Sequence, residues 1–313
     1  MNENSQAIII FCSHLCVPEE VKPLSISEWS RLAEELMNHK LEPKDILNLN
    51  EYELDSILSG TKITSERLMR LMDRSAGLFT AITQYESEGI KIFTRADKEY
   101  PVKLKKKLKQ KCPPMFYCAG DIEISELPVV GYAGSREIDS NDEEFTRETV
   151  RKTCEYRFGV VSGGAKGVDS LAADTAIEEH MPVIEYMAGG LSAILKKKSI
   201  RENVTSGKRL ILSEVIPDAG FSVGSAMSRN KYIYAHSEGT VIIKSDLKKG
   251  GTWAGAEENI KHEWCKLFCR DIDYPGNKEL IRMGAIAINE DWNGDVRIKP
   301  EKQSGQLELK FES

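Results

Sequence analysis

No apolar run in the sequence approaches the ~20 residues a membrane-spanning helix needs. The apolar run nearest the start, Ile8 to Cys12 flanked by Ala7, is too short for the hydrophobic region of a secretory signal. No basic cluster precedes it, Glu3 being the only early charge. These absences exclude a membrane-spanning class and predict a cytoplasmic protein. Cysteine is sparse and odd in number: Cys12, Cys16, Cys112, Cys118, Cys154, Cys265 and Cys269 are scattered along 313 residues, which argues against a disulfide framework. Cys12-x-His14-x-Cys16 has metal-ligand spacing but lacks the second pair that would complete a site, so no metal is expected and the cysteines read as small buried hydrophobes. No Ser-His-Asp or Cys-His set is visible, and no paired carboxylates can be placed. The chain therefore reads as a binding module rather than an enzyme, without a cofactor. Positive charge is in deficit as well. The formal net charge is −6, so the molecule as a whole repels a polyanion. Any phosphate binding has to come from local basic loops and helix N-termini. No internal repeat or low-complexity segment is evident.

What is present is a chain long enough for one large domain or two unequal ones. Three regions are expected: an N-terminal helical domain over 1–86, a Rossmann-like domain over 87–290 and a tail over 291–313. The first shows helical spacing from Ser27 onward, with Trp29, Leu32, Ala33, Leu36 and Met37 on one face. Further helical segments follow, one over 45–58 and one opening at Thr64. Residues 89–119 read as a connector with short strands at 89–93 and 115–117. Its lysine run, Lys103, Lys105, Lys106, Lys107, Lys109 and Lys111, reads as a solvated helix face in preference to a phosphate patch. From residue 127 apolar strands alternate with helices. The expected strands are 127–133, 158–162, 182–187, 209–213, 240–244, 266–269 and 285–288. The expected helices are 141–156, 168–180, 191–205, 226–237, 252–262 and 277–283. That alternation predicts an α/β fold, a doubly wound parallel sheet. The tail reads as an edge strand or loose end.

Ligands of such sheets bind beyond the carboxyl ends of the strands, and the glycine-rich segments fall there. Gly134-Ser135-Arg136 follows the first strand of the alternating region; its guanidinium is a planar fork suited to phosphate. Ser162-Gly163-Gly164-Ala165-Lys166-Gly167 follows the second and opens a helix, where unpaired amides and glycine flexibility suit an anion. Asp169, just beyond, is expected to cap that helix or brace Arg136. Arg229-Asn230-Lys231 is placed at a helix start, where cations oppose the dipole unless an anion is bound. A fourth turn, Lys248-Lys249-Gly250-Gly251-Thr252, has the same strand–turn–helix form. Tyr132, Phe221, Tyr232 and Trp253 lie near these loops, with core packing their expected fate.

This ordered set resembles the DNA-processing protein A (DprA/Smf) family. The resemblance runs from about Gly89 to Ile288 and rests most on Ser-Gly-Gly-Ala-Lys-Gly-Val-Asp over 162–169, with Gly134-Ser-Arg136, Leu212-Ser-Glu214 and Arg229-Asn-Lys231 around it. It implies an extended Rossmann-like fold that dimerises, binds single-stranded DNA in natural transformation and loads a RecA-type recombinase. It also implies that Arg136, the 162–167 loop and the 229–231 segment line the DNA groove, with the amides of 163–167 holding a phosphate. The chain departs from the family pattern where Arg-Asn-Lys stands for the usual Arg-Asn-Arg. The alternative class is a nucleotide-binding sensor or nucleoside-monophosphate glycosidase, of which Gly250-Gly-Thr252 with Glu257 and Glu258 is a partial echo.

Overall fold

The computed structural model describes residues 1–18 and 20–297. Five helices come first: α1 (Glu3–Cys12), α2 (Ile26–Asn38), α3 (Glu51–Leu58), α4 (Ser65–Asp73) and α5 (Ser75–Ser87). Ile8, Ile9, Ile10 and Phe11 are all buried, so the early apolar run is a core helix, wet on no side. Helical structure thus begins well before the Ser27 at which helical spacing becomes visible. Arg74 closes the open carbonyls at the end of α1, donating to Ile10 at 2.6 Å, to Ser13 at 2.8 Å and to Leu15. The cap of α2 is Ser25 rather than Ser27: its hydroxyl accepts from the Glu28 amide while Glu28 accepts from the Ser25 amide. Glu28 also meets Arg67 of α4 at 2.6 Å, and the Arg67 hydrogen bonds hold its carboxyl down at about 2.

The rest of the chain builds one sheet. Its elements in order are β1 (Lys91–Thr94), α6 (Val102–Leu108), β2 (Met115–Ala119), β3 (Val129–Ala133), α7 (Ser140–Glu155), β4 (Gly159–Ser162), α8 (Val168–Glu178) and β5 (Val183–Met187). There follow α9 (Leu191–Leu195), α10 (Lys198–Thr205), β6 (Arg209–Ser213), α11 (Val223–His236), β7 (Gly239–Ile242), α12 (Gly250–His262), β8 (Lys266–Arg270), α13 (Pro275–Arg282) and β9 (Ile286–Ile288). The strand order is β1-β2-β6-β5-β4-β3-β7-β8-β9. Strands β3 to β9 pair in parallel, and β1 and β2 extend the sheet antiparallel on the β6 edge. The α/β, Rossmann-like expectation is met, with two corrections. The connector strands belong to the sheet. The single helix expected over 191–205 is two, because the chain leaves helical geometry at Lys197.

The helical region and the sheet share apolar contacts. One hydrophobic cluster joins Leu32, Leu68 and Leu78 to Met115, Tyr117 and Ala119 of β2 and Ile211 of β6. The lysine run is only partly a solvated face. Lys103 meets Glu238 at 3.0 Å and Lys107 donates to the Ser237 carbonyl at 3.0 Å, while Leu104 and Leu108 are buried. Four residues apart on α6, these two ammonium groups clamp it to the end of α11. Of the tail, Trp292 packs on Phe268 with ring centroids 5.4 Å apart and Val296 is buried; its part from 298 onward lies outside the described residues.

Candidate nucleic-acid interface

β4 lies on one side of β3 and β7 on the other, so the chain reverses its winding direction at β3. In an open α/β sheet the carboxyl ends at such a point leave a crevice. Here it is a cleft of about 580 Å³. Its walls come from the Gly134–Arg136 turn, the loop before α8, the segment before α11 and the turn that opens α12. The glycines are required by close approach. A Cβ on Gly134 would fall 2.5 Å from Val168. Gly167 has φ +89 and lies against the Ser135 carbonyl, where a Cβ would come within 2.4 Å. Two hydrogen bonds tie the walls together: Thr252 donates to the Gly134 carbonyl and Asn230 to the Gly251 carbonyl, each at 3.0 Å.

Two amides of the loop before α8 turn inward. Asp169 is buried and accepts from the Gly163 amide at 3.1 Å, and the Ala165 amide also bonds to it. The expected brace to Arg136 is therefore a brace inside the glycine loop. Burial raises the Asp169 carboxyl to about 6, with Arg229 and the two amides pulling it back. Ser162 is buried and its hydroxyl points toward the Asp169 carbonyl at 3.5 Å, away from the cleft. An internal carboxylate thus occupies donors that the sequence reading assigned to a phosphate.

The basic side chains divide. Arg136 is exposed, with its guanidinium 5.7 Å from the centroid of the Phe221 ring and no hydrogen bond or ion pair among the described residues. Arg229 is 6% exposed and lies across Gly163, where a Cβ would come 1.4 Å from its Nη1. Its Nε has no hydrogen-bond partner among the described residues, nor has the buried Tyr234 hydroxyl beside it on the cleft wall. Loss of solvent lowers the Arg229 pKa, and Asp169 opposes that. Ser222 caps α11 by accepting from the Ser225 amide, so the helix starts at Val223. The 229–231 segment is therefore mid-helix, and the argument from an unfavourable helix dipole falls. Mid-helix geometry also separates the segment's side chains, since residues two apart point to opposite faces. Arg229 faces this cleft, whereas Lys231 faces a second cavity. Lys166 is exposed on an adjoining groove that shares Ser135 and Arg136 with the cleft.

Core packing, the expected fate of the four aromatics near the loops, fails for Phe221. It is 59% exposed on the rim, with Val223 and Met227 beside it, whereas Tyr132, Tyr232 and Trp253 are buried as expected. Its flanking Gly220 and Ser222 were the available signal, because a lone aromatic in a polar turn has little to pack on. Glu257 and Glu258 do not line the cleft. Among the described residues no group of three or more His, Cys, Asp or Glu could hold a metal, and no helix is long and apolar enough to cross a membrane.

Comparison with known proteins places the chain among DNA-processing proteins. The chain is similar to DNA processing protein DprA of Bacillus subtilis, 24% identical over 268 residues that cover 80% of this chain and 89% of that protein. It is 23% identical to Protein Smf of Synechocystis over 72% of this chain and 56% of that one. Among solved structures it matches DNA processing protein A of Streptococcus pneumoniae in fold, with a TM-score of 0.67 at 20% identity over 85% of this chain and 90% of that one. It also matches that of Helicobacter pylori, a structure describing that protein's single-stranded DNA binding mode, with a TM-score of 0.54 at 28% identity over 64% of this chain and 92% of that one. The model of one family, DNA recombination-mediator protein A, matches residues 91–293, so the chain belongs to that family of DNA-processing proteins.

Proposed function

We propose that the cleft at the β3 turn binds single-stranded DNA. The observation that carries this reading is the pairing of a free guanidinium, Arg136, with an exposed aromatic ring, Phe221, at the mouth of the cleft. Single-strand binders combine cations that track the backbone with rings on which bases stack. Arg136 and Lys166 take phosphates from the rim, and Phe221 offers the stacking face. The buried Arg229 and Tyr234 form a polar floor whose unmet donors suit the edge of an inserted base. Gly163, Gly164, Ala165 and Gly167 act by shaping the wall, with Asp169 holding them. The single-stranded DNA bound by the Helicobacter pylori relative supports the same ligand here. We take residues 87–290 as the DNA-binding unit and 1–86 as the helical domain docked on it. Homodimerisation and loading of a RecA-type recombinase complete the proposal, since two clefts on one strand would present it to a partner protein.

Fluorescence anisotropy with labelled oligo-dT, single- and double-stranded, across a salt series tests the reading. Single strands should bind more tightly than duplex. With ~4–6 phosphates neutralised, log affinity should fall with log salt at a slope of about −3 to −4. Arg136→Ala should weaken binding and flatten the slope by about 0.7. Failure of the wild-type protein to bind either form overturns the proposal.

A further inference from the structure

Behind α11, away from the cleft, a second cavity of about 760 Å³ opens between the N-terminal helices and the sheet. That volume falls in the range of small-molecule sites, and it sits at the carboxyl end of β6, the side of an α/β sheet on which ligands bind. Its walls carry three kinds of group. Leu24, Pro113, Pro114 and Met115 form an apolar slot. Glu214, the residue after β6, accepts from the Tyr232 hydroxyl through one carboxylate oxygen and makes no other hydrogen bond among the described residues. Lys231 is half-buried, with its ammonium 5.2 Å from the Tyr232 ring centroid and no hydrogen bond or ion pair among the described residues. The first turn of α2 faces the same space, and its capping box engages Ser25 and Glu28 but leaves the Ile26 and Ser27 amides open.

We infer that this cavity binds a nucleoside monophosphate, free or as the 5′-phosphorylated end of a strand. An apolar slot takes the base, and the carboxylate at the strand end accepts from the 3′-hydroxyl of a free nucleotide. The unpartnered ammonium, with the first turn of α2 beside it, takes the phosphate. Among the charged groups on the walls, Lys111 donates toward His262, so Lys231 is the cation left for the ligand. The inference stands apart from the single-strand reading, because Arg136 is not on these walls.

The test is isothermal titration of the full chain with dAMP and dTMP, and with trinucleotides bearing or lacking a 5′-phosphate. Saturable binding of the free monophosphates identifies a nucleotide site. Binding confined to 5′-phosphorylated trinucleotides identifies a strand-end site. In either case Lys231→Ala should weaken binding about tenfold, the scale of one charge-assisted hydrogen bond. Ser27→Trp, an exposed substitution that fills the cavity mouth, should abolish it, and Arg136→Ala should leave the binding of free monophosphates intact. No binding to wild-type protein overturns the inference. So does binding lost in Arg136→Ala but kept in Lys231→Ala and Ser27→Trp, which would move the nucleotide to the first cleft.

Discussion

Asp169 is the residue whose charge state matters most to the cleft. Burial pushes its carboxyl up to about 6. At pH 7.5 it is an anion beneath the loop that carries Lys166; below about 6 it is neutral and Arg229 loses the larger of its two nearby counter-charges, Glu185 being the other. Single-strand affinity should therefore rise as pH falls from 7.5 to 5.5, and Asp169→Asn should flatten that rise in anisotropy titrations. His236 makes stability itself depend on pH. Burial lowers its pKa from 6.5 to about 3, and its ring is fixed between the Tyr186 hydroxyl at 2.6 Å and the Ser125 carbonyl at 2.7 Å. Because the folded value lies below the unfolded one, its contribution is complete above about 6.5 and is lost as pH falls toward 3. Melting temperatures of wild type and His236→Gln should differ most near pH 7.5 and converge toward pH 4.5.

At the scale of elements, α11 and the loop before α8 depend on each other through one missing side chain. Gly163 leaves room for the Arg229 guanidinium, and even a methyl there would overlap Nη1. Gly163→Ala should destabilise the protein by about 1–3 kcal/mol, the usual range for overpacking. The cost should shrink when Arg229 is also Ala, and a double-mutant cycle in urea reads the difference. Equal costs in both backgrounds would mean that the loop accommodates the methyl elsewhere.

Over the whole molecule, the N-terminal helices cover one face of the sheet at β2 and β6. A chain beginning at residue 88 would expose Met115, Tyr117 and Ile211, all in the cluster shared with those helices. That truncated protein should bind the dye ANS and melt lower than the full chain, whereas an independent sheet domain would do neither. The net charge of −6 belongs to this scale too. It opposes a polyanion at long range, so binding by local cations should weaken steeply with salt and show no fast electrostatic steering at low salt.

The sequence by itself determined the alternation of elements, the position of the glycine turns at the carboxyl edge and the family, because hydrophobic periodicity and turn chemistry are local properties. The buried strands β3 to β8 were legible for that reason, whereas the packing of Gly134 on Val168 and of Gly167 on the Ser135 carbonyl was not. Only the tertiary structure decided where each polar group points. Asp169 turns inward to the glycine loop because the amides there are the nearest donors once the carboxylate is buried. The Arg-Asn-Lys segment divides between two cavities because it lies within a helix, whose start was set by Ser222 four residues before the expected 226. Phe221 stays on the surface because the loop that carries it rims a cleft instead of crossing a core. Contacts between residues far apart in the chain fix such orientations, and no pattern of spacing along one strand of sequence encodes them.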